Sequence, residues 1–453
     1  MSEAPRGGTD HPDSARPSAL RCLVLHPEFG NRDLGTRTAA SKLEEATGLA
    51  RAIALDVVHA VTVSVRKARP GTLFGTGKVD ELGSLIRALE AGLVIVNAAL
   101  SPIQQRNLEK AWDAKVLDRT GLILEIFGER ARTKEGALQV ELAHLTYQKS
   151  RLVRSWTHLE RQRGGTSAMA GPGETQIETD RRLIAERITR VKADLEAVTR
   201  TRGLHRKARA RVPYPVIALV GYTNAGKSTL FNRLTRSDVF AKDLLFATLD
   251  PTMRAIQLPA KGQSTVKAIL SDTVGFISDL PTDLIAAFRA TLEEVLEADL
   301  ILHVRDIAHP ETDDQRQDVL SVLAQLGIEG ETSGHRIIEI WNKIDRLPLD
   351  ERQALLARAP RAGKTGVFEA IAVSAVTGEG TERLAAHLAT AMTEAHQTID
   401  LVLTPEEGAL IAWIYDHGRV EAREDLEDGR VHLRAKLSDV ELARFDRRRE
   451  LGA

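Results

Sequence analysis

Val216-Ile-Ala-Leu-Val220-Gly221-Tyr222-Thr223-Asn224-Ala225-Gly226-Lys227-Ser228-Thr229 joins a short apolar run, a glycine-bounded loop and a helical pattern that continues to Arg233. The loop satisfies G-x-x-x-x-G-K-[ST] and lies between a strand and a helix, where that motif has physical meaning. Glycines let successive backbone N–H groups turn inward on phosphates, and the helix N-terminus adds partial positive charge. Lys227 is expected to set an ammonium against the β and γ phosphates of a bound triphosphate. The Ser228 hydroxyl is expected to ligate Mg²⁺, with Thr229 following in the same turn. The implied fold is α/β, with a P-loop domain on a mostly parallel sheet.

Downstream, the same domain supplies further elements in a consistent order. Asp272-Thr-Val-Gly275 ends the apolar run Val266–Asp272. It offers a carboxylate to the metal shell and a glycine N–H free to approach the γ-phosphate. Thr248, in Phe246-Ala-Thr-Leu-Asp250-Pro251, falls where a nucleotide-sensing loop belongs, and its hydroxyl can complete the metal shell; Thr252 is the alternative. Asn342-Lys343-Ile344-Asp345 follows the strand-like run Ile337–Trp341. The Asp345 carboxylate can accept from N1–H and the 2-amino group of guanine, donors that adenine lacks. Ser374-Ala375, after Phe368–Val373, is expected to bring backbone N–H groups to guanine O6. Strands are also expected at Val216–Val220 and Leu300–Val304. Each short motif alone could be a strand-end turn; together they imply GTP or GDP as ligand and hydrolysis with Mg²⁺. Lys227, Thr248 and Gly275 are the expected catalytic groups.

Two residues refine the chemistry. Phe276 stands directly after Gly275, where Ras-like GTPases carry a water-orienting Gln. A phenyl ring cannot hold water, so slow intrinsic hydrolysis is expected, with another group or a partner placing the nucleophile. A non-hydrolysing scaffold that uses GTP only structurally is the reading from a different class. Asn224 occupies the loop position at which potassium-activated GTPases bind a monovalent cation, so K⁺ is a second candidate ion; an ordinary loop Asn is the alternative.

Upstream of this domain, residues 1–19 read as a disordered tail and residues 20–130 as a small α/β domain. Strands are expected at Leu23–Leu25, Val61–Val65, Leu93–Val96, and Val116–Leu117 with Leu122–Ile126. Helices are expected at Lys42–Leu49, Val79–Leu89 and Ile103–Trp112. Residues 131–212 carry two heptad-like stripes. One is Leu138, Leu142, Leu145, Leu152, Trp156 and Leu159, broken by Lys149; the other is Ile184, Ile188, Val191, Leu195 and Val198. These predict an antiparallel helical hairpin whose turn lies in Gly164–Gly173, followed by a basic stretch from Arg200 to Arg211. That stretch is either a solvated face or a phosphate-contacting patch. The nucleotide domain spans 213–396, and 397–453 forms a small α+β piece with a helix at Gly408–Tyr415 and strands at Val420–Arg423 and Arg430–Ala435. Gly75-Thr-Gly77-Lys78-Val79 resembles a phosphate loop but lacks the four-residue gap. It reads as a helix-opening loop, with a second nucleotide site as the alternative.

Composition closes off other classes. The formal net charge is -1, so nucleic-acid contact must come from local clusters. Aromatic residues make up only 4%, which argues against a broad stacking surface for single strands. The lone Cys22 excludes an internal disulfide and a multi-thiolate metal site. No run approaches a membrane span, and no secretion signal is present. A cytoplasmic monomer is the expectation.

With these residues in view, the chain resembles the HflX family of bacterial ribosome-associated GTPases from about residue 20 to 395. The resemblance rests on Gly75–Val79, Leu100-Ser-Pro102, Gln105-Arg-Asn-Leu108, Asp118-Arg-Thr-Gly-Leu122, Gln139-Val-Glu-Leu142, Gly171-Pro-Gly-Glu174 and Asp180-Arg-Arg182, together with the nucleotide motifs. It implies a factor that binds the large 50S ribosomal subunit and its rRNA, is stimulated by the ribosome, and splits or rescues stalled ribosomes under stress. A ribosome-assembly or RNA-modification GTPase is the alternative. In that family the hairpin tip reaches toward the peptidyl transferase centre; here Ala170 and Thr166–Met169 depart from its usual tip pattern.

Overall fold

The structure, a computed structural model, describes residues 20–30, 37–162, 172–209, 214–237, 245–246, 252–259, 265–278, 289–328, 336–359, 369–394, 396–426 and 428–450. Thr248 and Asp250 fall outside these residues, as do Gly164–Gly171 of the hairpin turn and the side chains of Arg202–Arg211. The chain forms two compact units, Met1–Leu122 and Ile123–Ala453.

In the first unit, β1 (Arg21–Glu28), β2 (Asp56–Ser64), β3 (Leu93–Val96) and β4 (Lys115–Asp118) form a parallel sheet in the order β2-β1-β3-β4. The connecting helices are α1 (Ala39–Ala52), α2 (Thr76–Ala88) and α3 (Pro102–Trp112). Ser101 and Gln104 form a reciprocal capping box at the start of α3, with Pro102 pre-set for its first turn. Cys22 is buried in β1 as a free thiol, pushed up to about 11 by burial with Asp56 adding to the shift.

The run Leu122–Ile126, expected as a strand, is instead part of α4 (Arg119–Arg130). The Asp118 carboxylate explains the change. It accepts the Gly121 N–H at 2.9 Å and the Leu100 N–H at 3.1 Å, capping a helix immediately after β4. Leu122, Ile123, Leu124, Ile126 and Phe127 are all buried, and so short an apolar run cannot be told from a strand by its pattern, the exposed face being marked only by Glu125, Gly128 and Glu129.

The second unit contains the hairpin, α5 (Lys134–Gln162) and α6 (Pro172–Arg209). Arg187 Nε donates to Glu141 at 2.6 Å, while Lys149 shares a 570 Å³ surface cleft with Glu178, Thr179, Arg181, Arg182 and Ala185. Residue numbers therefore rise along one helix as they fall along the other, so the pair is antiparallel. On α6 the shielded positions include Ile184, Ile188, Val191, Leu195 and Val198, at steps of four and three. Among the described side chains of α5 the buried positions are Gly136, Gln139, Val140 and Ala143, and the leucine stripe Leu138, Leu142 and Leu145 is half-buried.

Beyond the hairpin lies a six-stranded sheet in the order β10-β9-β8-β5-β7-β6. Its strands are β5 (Val216–Gly221), β6 (Thr252–Pro259), β7 (Thr265–Asp272), β8 (Leu300–Asp306), β9 (Arg336–Asn342) and β10 (Ala370–Ala372). Every pairing is parallel except β6 with β7. One face packs on α7 (Lys227–Thr235) and α11 (Thr381–Glu394) through Leu230, Phe231, Leu384, Leu388 and Met392. The opposite face meets α8 (Arg289–Leu296) and α9 (Thr312–Gln325); α10 (Leu349–Arg358) lies between β9 and β10 in sequence. Alternation along the central strands sends Leu219, Leu302, Val304 and Ile340 into the α7 side.

The C-terminal segment is a three-stranded antiparallel sheet, β11-β13-β12, built from β11 (His396–Leu403), β12 (Arg419–Asp425) and β13 (Val431–Ser438). Two helices, α12 (Gly408–His417) and α13 (Asp439–Glu450), complete an α+β core in which the rings of Trp413 and Phe445 lie 6.0 Å apart. Among the described residues, no helix is long and apolar enough to cross a membrane.

Candidate active site

The sheet order places the sequence motifs at one edge. Gly221 ends β5, Asp272 ends β7, Asn342 ends β9, and Ser374 lies just past β10. The carboxyl ends of parallel strands form the crevice in which α/β sheets bind ligands.

The phosphate loop closes through left-handed backbone at Asn224 (φ 60°) and Gly226 (φ 93°). Gly226 is also sterically fixed, since a Cβ there would lie 2.3 Å from Asn342 Nδ2. α7 starts at Lys227 without a side-chain cap, leaving its first amides to the loop concavity. The Lys227 ammonium is buried and donates to the carbonyls of Gly221 at 3.1 Å and Tyr222 at 2.9 Å. Burial pulls its pKa down to about 8; Asp272 opposes that shift and Lys343 adds to it. The Ser228 hydroxyl donates to Asp272 Oδ2 at 2.6 Å, so a hydroxyl and a carboxylate meet beside the buried ammonium. Thr229 is half-buried in the same helical turn.

The segment after Asp272 is bound to the phosphate loop by its backbone. Thr223 N–H donates to the Phe276 carbonyl at 2.7 Å, and Phe276 N–H donates to the Gly221 carbonyl at 3.1 Å. Ser278 N–H donates to the Tyr222 hydroxyl at 2.9 Å. Gly275 is pressed between these groups, where a Cβ would sit 2.9 Å from Thr223 Cγ2 and 3.0 Å from Lys227 Nζ. The Phe276 side chain is buried. Phe246, leading toward Thr248, is buried with its ring edge-on to Phe127 at 4.9 Å.

On the base side, Asn342 Nδ2 donates to the Ala225 carbonyl at 2.8 Å, and its Oδ1 accepts from Ala375 N–H at 3.0 Å. One amide thus ties the phosphate loop to the loop after β10. Ser374 N–H donates to the Glu379 carbonyl at 2.9 Å. Lys343 has left-handed backbone, and its ammonium pairs with Asp306 Oδ2 at 2.8 Å. The half-buried Asp345 carboxylate keeps a buried Oδ1 with no hydrogen-bond partner among the described residues. An acceptor held in that state matches a ligand edge that carries donors. Sequence reading singled out neither Asp306, the Tyr222 hydroxyl nor Arg233; the strand-end position of Asp306 was the available signal for the first. Arg233, on α7, donates to carbonyls of the loop after β10. At the other candidate loop, Gly75 caps α2 and Lys78 is held on the surface by Glu81 at 2.8 Å.

Comparison with known proteins covers most of the chain. Residues 40–128 match the family described as GTP-binding GTPase N-terminal, 130–209 the GTP-binding GTPase Middle Region, 216–343 the 50S ribosome-binding GTPase, and 359–453 the HflX C-terminal domain. GTPase HflX of Magnetococcus marinus is 52% identical over 391 residues, covering 86% of this chain and 87% of that protein. The chain belongs to the HflX family of GTPases. GTPase HflX of Escherichia coli is 42% identical over 405 residues, covering 89% of this chain and 91% of that one. GTPase HflX of Lacrimispora saccharolytica is 42% identical over 416 residues, covering 90% and 92%. This HflX-family chain is accordingly a GTPase, and the nucleotide-shaped edge described above is its candidate active site.

Proposed function

We propose that this GTPase binds the 50S ribosomal subunit and its rRNA in the GTP state and splits or rescues stalled ribosomes under stress, with the ribosome stimulating hydrolysis. The observation that carries the reading is the buried Phe276 ring where a water-orienting Gln would stand. A site so built needs its nucleophile placed by another group, and a partner that supplies it couples hydrolysis to encounter. The match of residues 216–343 to the 50S ribosome-binding GTPase family supports the ribosome as that partner.

Within the site, the amides of Asn224 and of Gly226 to Thr229 cradle the phosphates, since Thr223 and Ala225 N–H are already given to backbone carbonyls, and Lys227 leaves its carbonyl partners to meet the β and γ oxygens. Gly275 N–H meets the γ-phosphate, and Asp345 reads the guanine edge. Ser228 and Asp272 present hard oxygen donors 2.6 Å apart, a donor set that fits Mg²⁺, with Thr248 as a further ligand. Held by Ser228, Asp272 and Thr248, Mg²⁺ would supply positive charge to offset that of the phosphates. Asn224, on the exposed rim, is the residue for K⁺; equal turnover in K⁺ and Na⁺ would remove that role. The functional division follows residues 20–130, 131–212, 213–396 and 397–453, acting as a cytoplasmic monomer.

Single-turnover hydrolysis with and without purified 50S subunits tests the proposal, alongside co-sedimentation in a GTP analogue and in GDP. Stimulation by mature subunits and co-sedimentation favouring the analogue are expected. Stimulation by precursor particles alone would move the role to assembly. Intrinsic turnover of about 1 s⁻¹ or faster would overturn the dependence on a partner.

A further inference from the structure

We propose that Arg233 is a positioning residue for guanine recognition, acting through the peptide between Ala375 and Val376. The inference rests on the nucleotide site proposed above and names a residue that determines its base specificity.

The loop after β10 has few amides left to give. Ser374 N–H donates to the Glu379 carbonyl, Ala375 N–H to Asn342 Oδ1, Thr377 N–H to Ser374 Oγ, and Gly378 N–H to the Ser374 carbonyl. Val376 N–H is the one amide from Ser374 to Gly378 with no acceptor among the described residues. It is therefore the donor in this loop that remains for the guanine O6.

Arg233 holds the other end of that same peptide. Its Nε donates to the Ala375 carbonyl at 3.1 Å, and Nη2 donates to the Val376 carbonyl. In a trans peptide the carbonyl and the N–H point in opposite directions. With the Ala375 carbonyl drawn toward α7, the Val376 N–H is aimed away from it. A charged donor on the carbonyl also polarises the peptide and strengthens its N–H as a donor. The second carbonyl bond stops the loop from pivoting, and the planar fork of the guanidinium suits two successive carbonyls. Gly378, at φ 90°, supplies the left-handed turn that brings the loop back against the guanidinium.

Arg233 sits on the helix that begins at Lys227. The loop is thus tied to the phosphate side twice, by Asn342 at the start of α7 and by Arg233 near its end. Phosphate grip and base recognition share one rigid element.

The test is equilibrium binding of fluorescent GDP, 6-thio-GDP and ADP to the full chain and to Arg233→Met and Arg233→Lys. The sulfur analogue differs from GDP at the one atom that Val376 N–H would meet. Arg233→Met should lose about tenfold in GDP affinity, the order of one hydrogen bond in a desolvated site, and lose less for 6-thio-GDP. Its preference for GDP over the analogue then shrinks toward one, and Arg233→Lys, with one donor retained in reach, restores part of it. Equal losses on both nucleotides would mean a merely structural residue and would overturn the proposal, as would unchanged GDP affinity. If the unsubstituted chain fails to prefer GDP over ADP, the underlying site reading fails instead.

Discussion

Lys227 carries its charge into the site at a cost. Burial lowers its pKa to about 8, so near neutral pH it is mostly protonated but held with little margin. Bound phosphate raises that value, because an anion favours the ammonium. The sign of the linkage follows. Below about 8 the free protein already carries the proton and affinity is flat; above 8 each binding event must take up a proton, and affinity falls by up to about tenfold per pH unit. Calorimetry of GDP binding in two buffers of different ionisation heat should show uptake near zero at about pH 7, growing toward one proton at about pH 9. Uptake absent at both values would show that Lys227 does not meet the phosphates. Asp345 makes an independent prediction. Its unpartnered Oδ1 suits the donors of guanine, whereas an Asn amide offers one donor and one acceptor, the complement of xanthine. Asp345→Asn should therefore weaken GDP and strengthen xanthosine diphosphate, reversing the preference in a competition assay.

The elements that support these residues include a buried ionic network. Glu339 on β9 is fully buried and accepts from Arg305 at 2.8 Å, Arg316 at 2.5 Å and Trp341 at 3.0 Å, while its cross-strand neighbour His303 is pulled down to about 3 by burial and stays neutral. Burial alone would raise the Glu339 carboxyl, but Arg305, Trp341 and Arg316 outweigh it and hold the group below its ordinary value. Glu339→Gln should cost about 3–5 kcal/mol in urea unfolding, since two cations are left without their shared anion. Because the folded value is lowered, that advantage is complete above the ordinary value of 4.5 and fades as the pH falls through the folded one. A pH-independent difference between the two proteins would count against the pairing. This network was not legible in the sequence, because Arg305 and Glu339 meet only through the pairing of β8 with β9 and Arg316 reaches Glu339 only because α9 packs on that sheet. The strands of the nucleotide domain were legible, since short apolar runs bounded by glycine and acidic motifs punctuate it. β6 was not: Arg254 is exposed on the face of Ile256 and Leu258 and Met253 stands on the polar face, so only Ile256 to Leu258 alternate, and an antiparallel edge strand shows only in its pairing with β7. α13 was missed for a related reason, as the charged residues of Asp439–Glu450 dilute its apolar pattern.

At the scale of the whole molecule, two compact units should unfold as two events. The first, Met1–Leu122, has its own buried core around Leu25, Phe74, Leu108 and Trp112 on a parallel sheet; the second, Ile123–Ala453, holds every described residue of the nucleotide site. A ligand stabilises only the cooperative unit that binds it, by RT ln(1 + [L]/Kd), or about 2.7 kcal/mol at a hundredfold excess over Kd. Differential scanning calorimetry of the full chain should therefore resolve two transitions, of which GDP with Mg²⁺ raises one by several degrees and leaves the other in place. The Asp345→Asn chain should lose that shift with GDP and regain it with xanthosine diphosphate. A single transition that moves as a whole would show that nucleotide energy reaches the N-terminal sheet. The N-terminal unit would then be part of the switch rather than a platform folded independently of it.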